Sequence, residues 1–354
     1  MALSKYYDGT KLLSMKDING KTPEIFICTS NRSAGKTTYF KRLLINRWRD
    51  NGDKFCLIYR YNYELDDLAD KFFKSIRELF FPEYDMVAER RASGKYYELF
   101  ITQFVDGKQK KESCGYAISL NSADQIKNYS HLLSDSKRML FDEFQSETNN
   151  YCPNEVSKFI SVHTSIARGG GEQVKYLPVY MLSNPVSIIN PYYVELGITD
   201  KLKSETKFLR GDGFVLEQGY VESASIAQLQ SGFNKAFQNN KYVEYAAQNT
   251  YLNDNIAFIE QPNGQSKYLC TLRYNGTDFA VREYPAAGII YCDKRVDLTF
   301  GIKLSVTTED HNVNYVMLKR AQFFIDNLRY FFDRGCFRFK DLQCKEAILK
   351  TLSY

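Results

Sequence analysis

Between Glu24 and Arg49 the chain changes character twice. An apolar run of buried-strand length (Glu24-Ile25-Phe26-Ile27-Cys28-Thr29) gives way to a polar turn, Ser30-Asn31-Arg32-Ser33-Ala34-Gly35. From Lys36 a helical stretch keeps Tyr39, Leu43, Leu44 and Trp48 on one side and stops at Asn51-Gly52-Asp53. Strand, turn and helix in this order fit the phosphate-loop pattern GxxxxGK[ST], with Gly35, Lys36 and Thr37 in register. Ser30 stands where the first Gly normally sits, and Ser tolerates a positive φ poorly. In such a loop the backbone N–H groups face phosphate oxygens and the helix N-terminus adds its dipole. Ser30, Asn31, Arg32, Ser33, Ala34, Gly35, Lys36, Thr37 and Thr38 are therefore the candidate nucleotide-binding segment. Lys36 would reach the β- and γ-phosphates and Thr37 would hold Mg2+. A helix start with a Gly turn satisfies the same spacing, so the loop needs a second element.

That element is the apolar run Arg138-Met139-Leu140-Phe141 leading into Asp142-Glu143. An Asp at such a strand end orders Mg2+, and an adjacent Glu can polarise the water that attacks a γ-phosphate. The competing reading is a solvated carboxylate pair at a helix start. A further buried run, Phe55–Tyr59, lies between the two motifs in sequence. That is the layout of the additional-strand, catalytic-glutamate class of P-loop NTPases. The next strand, Tyr176 to Leu182, ends at Ser183-Asn184, where Asn184 either senses the γ-phosphate or caps a turn.

Two cations are candidates for reaching a neighbour's nucleotide. Arg168 closes a helix read over 154–167, before Gly169-Gly170-Gly171; it serves either as a finger or as a partner of the helix dipole. Lys127 is the second such candidate. Arg32 either contacts phosphate or ties the loop to another element. Arg90, Arg91, Lys95, Lys108, Lys110 and Lys111 fall near the tips of hairpins read over 84–120, where they either touch DNA phosphates or are simply solvated.

Strands alternating with helices through the first 200 residues make an α/β doubly wound domain. The organisation read here is a P-loop ATPase domain over 1–196, a polar linker or connecting subdomain over 197–250, and a C-terminal α+β domain over 251–354. In the last, strand-like runs over 255–261, 267–274, 278–284 and 287–292 precede helices over 313–332 and 341–352, with Asn275-Gly276 as a hairpin turn. The net charge of +5 allows a polyanion partner without requiring one. Eight cysteines without a CxxC pair argue for a reducing compartment and against zinc. No apolar run is long enough to span a membrane, and the first residues lack the layout of a secretory signal.

Several strings together resemble the DNA-packaging ATPases of small tailed phages related to those that use a packaging RNA. They are Arg60-Tyr61 with Glu64-Leu65, Asp142-Glu143-Phe144, Pro153-Asn154-Glu155-Val156, Leu182-Ser183-Asn184 and Asn190-Pro191-Tyr192. The resemblance runs over roughly residues 20–200 and is thinner beyond. It implies a homopentameric ring docked at the portal of a procapsid in the host cytoplasm, pumping double-stranded DNA at the expense of ATP with Mg2+. It also implies a C-terminal domain like an RNase H-type nuclease that has lost catalysis. By motif position Lys36, Thr37, Asp142, Glu143, Asn184, Arg168 and Lys127 carry over as site residues.

The C-terminal carboxylates Asp278, Glu283, Asp293, Asp297 and Asp326 form no clear two-metal pattern, in keeping with an inactive nuclease. From 252 onward 14 basic residues face 12 acidic ones, so net charge does not support strong nonspecific nucleic-acid binding there. A P-loop helicase or AAA+ remodeller, and a non-hydrolysing nucleotide-gated portal adaptor, remain the alternative readings.

Overall fold

A computed structural model describes residues 6–352 except 69, 106, 149, 169–172, 200, 203–205, 249–250, 253–257 and 319–320. The chain divides into two compact units, Met1–Asn253 and Asp254–Tyr354.

Unit one is built on a nine-stranded sheet: β1 (Ile25–Ser30), β2 (Phe55–Tyr59), β3 (Asp85–Arg91), β4 (Tyr96–Val105), β5 (Lys108–Ser119), β6 (Arg138–Asp142), β7 (Val179–Ser183), β8 (Phe208–Arg210) and β9 (Phe214–Gly219). The spatial order is β3-β4-β5-β2-β6-β7-β1-β9-β8. Strands β2, β6, β7, β1 and β9 run parallel. Parallel strands are covered on both faces and so read as continuous apolar runs. Alternate side chains accordingly divide between two cores. Phe26, Cys28, Leu57, Leu140 and Leu182 pack on one face, and Ile27, Ile58, Met139, Phe141 and Met181 on the other.

The sheet order extends two expectations and corrects one. The run Phe55–Tyr59 lies between the two motifs in sequence but not in space: β2 borders the far side of β6, and β7 is the strand that stands between β1 and β6. Next, the stretch read as a linker over 197–250 supplies β8 and β9, and β9 pairs with β1 along its whole length, from Ile25 opposite Phe214 to Ser30 opposite Gly219. The helices Glu222–Gln230, Gly232–Ala236 and Lys241–Gln248 then follow within unit one. Finally, the hairpins over 84–120 extend one edge of the same sheet, with β5 parallel to β2.

Unit two holds β10 (Lys267–Tyr274), β11 (Thr277–Tyr284), β12 (Ile289–Asp293), β13 (Lys303–Ser305), β14 (Val316–Met317) and β15 (Phe337–Phe339) in the order β14-β13-β10-β11-β12-β15. The first three are antiparallel neighbours, whereas β13 runs parallel to β10, β14 to β13, and β15 to β12. The helix read over 313–332 is shorter, Gln322–Asp333: Val316 and Met317 form β14, and Leu318 lies before the helix begins. Of the run at 255–261, residues 255–257 lie outside the described residues; in the rest Ile259 makes a single bridge to Phe339. The last helix is Leu342–Leu352.

Candidate nucleotide site

The turn after β1 resolves the missing Gly. Ser30 is the buried last residue of β1 and has no positive φ; the left-handed positions are Ser33, at φ 60°, and Gly35, at φ 91°. Gly35 forms the N-terminus of the helix Lys36–Asn51, and no side chain caps that end. Its N–H groups are thus left for an anion. Asn31 fixes the base of the loop, donating from Nδ2 to the Val221 carbonyl and accepting the Val221 N–H, both at 3.0 Å.

Across from the loop lie the ends of β6 and β7. Lys36 is buried, and its Nζ donates to Asn184 Oδ1 at 2.7 Å. Burial pushes the Lys36 pKa below the usual lysine value, against the pull of Asp142. Thr37 Oγ1 donates to Asp142 Oδ1 at 3.3 Å, and Asp142 Oδ1 also accepts the Glu143 N–H at 3.1 Å. Lys36, Thr37, Asp142, Glu143 and Asn184 share one cavity of about 620 Å³. Thr38, the next residue of the helix, is half-buried.

Glu143 sits at φ 57°, in the left-handed region where non-Gly residues are uncommon. Its carboxyl pKa is raised, first by desolvation and then by the charges of Asp142 and Glu147. The backbone around it is clamped by Arg60, which donates to the Phe144 carbonyl at 2.7 Å and to the Glu143 carbonyl at 3.4 Å. Arg60 in turn pairs with Glu155, Nε to Oε2 2.9 Å, and Glu155 also accepts from the Tyr192 hydroxyl at 2.8 Å and the Cys152 N–H at 2.8 Å. The Arg60, DEF, PNEV and NPY strings therefore meet in one buried polar network. Each string is visible in the sequence, but their convergence on a single support exists only in the fold. Gln145 extends it, accepting the Val186 and Ser187 N–H groups at 3.1 and 2.9 Å.

Arg32 is tied to another element. Its guanidinium pairs with Glu147 and lies 5.2 and 5.8 Å from the ring centroids of Tyr242 and Tyr245, while its N–H donates to the Ala246 carbonyl at 3.0 Å. Ser33 Oγ accepts from Gln228 Nε2 at 2.9 Å, and Ala34 is buried. The segment after β9 thus walls the cavity, with Phe233, Phe237 and Tyr242 in its lining. The sequence signal for that wall was the aromatic pair four residues apart in Phe233-Asn234-Lys235-Ala236-Phe237.

The structure does not bring the other two cations into this cavity. Arg168 is exposed just beyond the helix Glu155–Ile166, and the Gly run after it lies outside the described residues. Lys127 pairs with Asp124 at 3.1 Å. Three of the six hairpin cations face carboxylates: Arg91 pairs with Glu89 and Glu98 at 2.7 and 2.9 Å, Lys111 with Glu89, and Lys110 with Glu112. In unit two, buried Asp293 lies between Arg282 and Arg295 at 3.4 and 3.0 Å, and Asp278 accepts from the Tyr315 hydroxyl at 3.0 Å. Among the described residues no three His, Cys, Asp or Glu side chains gather as a metal site, and no helix is long and apolar enough to cross a membrane.

The structure thus sets the turn at Gly35-Lys36-Thr37 opposite the Asp142-Glu143 strand end of a mixed α/β sheet. The chain belongs to one family: the family model for podovirus DNA encapsidation protein (Gp16) matches residues 1–352. The resemblance seen in the motif strings is borne out by that match. The DNA packaging protein of Bacillus phage phi29 is 26% identical over 358 residues, covering 100% of this chain and 97% of the relative. That of Bacillus phage B103 is 24% identical over 330 residues, covering 91% and 93%. Among solved structures, the bacteriophage phi29 viral genome packaging motor assembly superposes with a TM-score of 0.67 at 23% identity, covering 99% of this chain and 98% of that one.

Proposed function

We propose that the protein is an ATP-driven motor that translocates double-stranded viral DNA into a preformed procapsid. The observation that carries this reading is the single cavity in which Lys36 and Thr37 of the loop face Asp142 and Glu143 at the strand end. The relatives named DNA packaging proteins support the packaging role. The strand order β2-β6-β7-β1-β9 supports assignment to the additional-strand, catalytic-glutamate P-loop class. In unit two, three antiparallel strands with two more running parallel beside the first support the RNase H-like reading. The Arg partners of Asp293 support loss of nuclease chemistry, since a neutralised carboxylate is a poor metal ligand.

The residues fit Mg2+ and a triphosphate. Thr37 Oγ1 and Asp142 Oδ1 are hard oxygen donors already 3.3 Å apart, and Ser183 Oγ lies buried at the cavity without a hydrogen-bond partner among the described residues. When bound, Mg2+ supplies charge that offsets the phosphate oxygens. Lys36 binds and neutralises the β/γ end, leaving Asn184 to follow whether phosphate is present. Glu143 takes the proton of the attacking water, a task suited by a carboxyl raised above its ordinary value. Arg168, exposed on the surface, reaches the nucleotide of a neighbouring copy in a homopentameric ring, and Lys127 is a second cation for that role. The ring works in the host cytoplasm, docked on the portal of the procapsid, with a packaging RNA as a further partner.

The test is ATP turnover by the purified protein with duplex DNA, with single strands and with no DNA. Stimulation by duplex alone supports the motor. Equal stimulation by single strands favours a helicase, and no turnover under any condition favours a nucleotide-gated adaptor.

A further inference from the structure

We propose that Phe233 and Phe237 form the nucleobase end of the same cavity and hold the purine of the nucleoside triphosphate against their ring faces. This rests on the nucleotide reading above and adds to it the part of the ligand that the phosphate loop does not touch.

The two rings are exposed, 75% for Phe233 and 52% for Phe237, with centroids 5.0 Å apart. Large apolar rings standing in water beside a polar cleft are unfavourable unless something covers them. They belong to one continuous cavity with Lys36 and Thr37, and its volume of about 620 Å³ falls in the range of roughly 300–1,000 Å³ typical of small-molecule pockets. That is far more room than a phosphate group needs. The occupant is therefore the rest of the same ligand, a flat aromatic group joined to the phosphates.

The ring pair is also held in place. Asn234 Nδ2, in the short helix Gly232–Ala236 that carries Phe233, donates to the Gln228 carbonyl and to Gln228 Oε1 at 2.8 and 2.9 Å, and Gln228 Nε2 donates to Ser33 of the phosphate loop at 2.9 Å. The base end and the phosphate end are thus linked by two hydrogen-bonded side chains. Because that amide is committed to Gln228, contact with the base is through ring faces rather than through its edge. Stacking tolerates any base and grows with ring area, so purines are favoured over pyrimidines.

The test compares ATP with inorganic tripolyphosphate, both with Mg2+, by calorimetric titration of the full chain. A base contact predicts that the wild type binds ATP more tightly than tripolyphosphate by about tenfold or more. The variant with both Phe233→Leu and Phe237→Leu should lose that advantage and keep its tripolyphosphate affinity. Both positions are exposed, so the fold tolerates the change. Phe237→Trp should retain ATP binding and report it by a change in indole emission that tripolyphosphate does not produce. Unchanged ATP affinity in the double variant overturns the proposal, as does an equal loss for both ligands. Lys36→Ala separates the two levels: if it leaves both ligands bound as before, the nucleotide reading itself fails, whereas loss of both with no effect of the Phe changes removes only the base site.

Discussion

Arg60 and Glu155, 95 positions apart in the chain, form an ion pair that is closed off from water, with side-chain exposures of 8% and 1%. The pair lies directly beneath the carbonyls of Glu143 and Phe144, so it supports the turn that aims the candidate catalytic carboxylate. Breaking one side of such a pair costs about 3–5 kcal/mol because the other charge is left buried. Arg60→Met and Glu155→Leu should each destabilise by that order, and the double variant by clearly less than their sum, as measured by urea unfolding. Arg60→Lys keeps the charge and loses the fork that reaches both carbonyls. It should lower kcat while leaving KM for ATP unchanged.

Glu143→Gln should retain nucleotide binding and abolish turnover. The sign of its effect on stability is also set. The folded protein holds the Glu143 carboxyl above the ordinary value of 4.5, so the ionised form is disfavoured relative to the unfolded chain. The stability contributed by the protonated carboxyl is present below 4.5 and is lost as pH rises through the raised value. At neutral pH the Gln variant should therefore melt higher than the wild type, and the gap should close as pH falls towards 4.5. In the wild type, turnover should fall on the acid side at a pH above that of an ordinary carboxylate.

Loss of Arg168 should act only in the assembled state. Arg168→Ala should leave ATP affinity of the isolated chain unchanged and reduce hydrolysis on procapsids by about 10³-fold or more, the range of a trans-acting arginine. Mixed particles with wild-type chains should show poisoned turnover. Equal loss of affinity and turnover in the isolated chain would assign Arg168 to its own site.

Ser30→Gly tests the departure from the usual loop pattern. Ser30 is extended and lies within β1, so a Gly brings no conformational benefit there. The expected outcome is a loss of about 0.5–1 kcal/mol with unchanged ATP affinity. A gain in affinity would show that the first loop position needs freedom that Ser restricts.

The strand–turn–helix at Gly35-Lys36-Thr37 and the Asp142-Glu143 strand end were legible because each couples an apolar run to a fixed polar signature. The position of β7 between them was not, since the order of parallel strands is decided by long crossovers and not by local pattern. The stretch 197–250 read as a linker for a different reason. Its strand β9 carries Glu217 and Gln218, both buried; the first accepts from the Tyr7 hydroxyl at 2.7 Å and the second from the Tyr251 hydroxyl at 2.5 Å. Buried polar residues satisfied by distant tyrosines hide a strand from any reading of periodicity. Arg60, Glu155 and Tyr192 were visible as strings, but their convergence exists only in three dimensions.

The pairing of β1 with β9 carries a consequence for synthesis. The strand that ends in the phosphate loop is among the first made, yet both of its neighbours, β7 and β9, come from much later in the chain. Until β7, β9 and the helices that follow β9 have been made, that strand lacks both neighbours and the loop lacks its wall. The candidate nucleotide site is therefore complete only after unit one has been almost wholly translated.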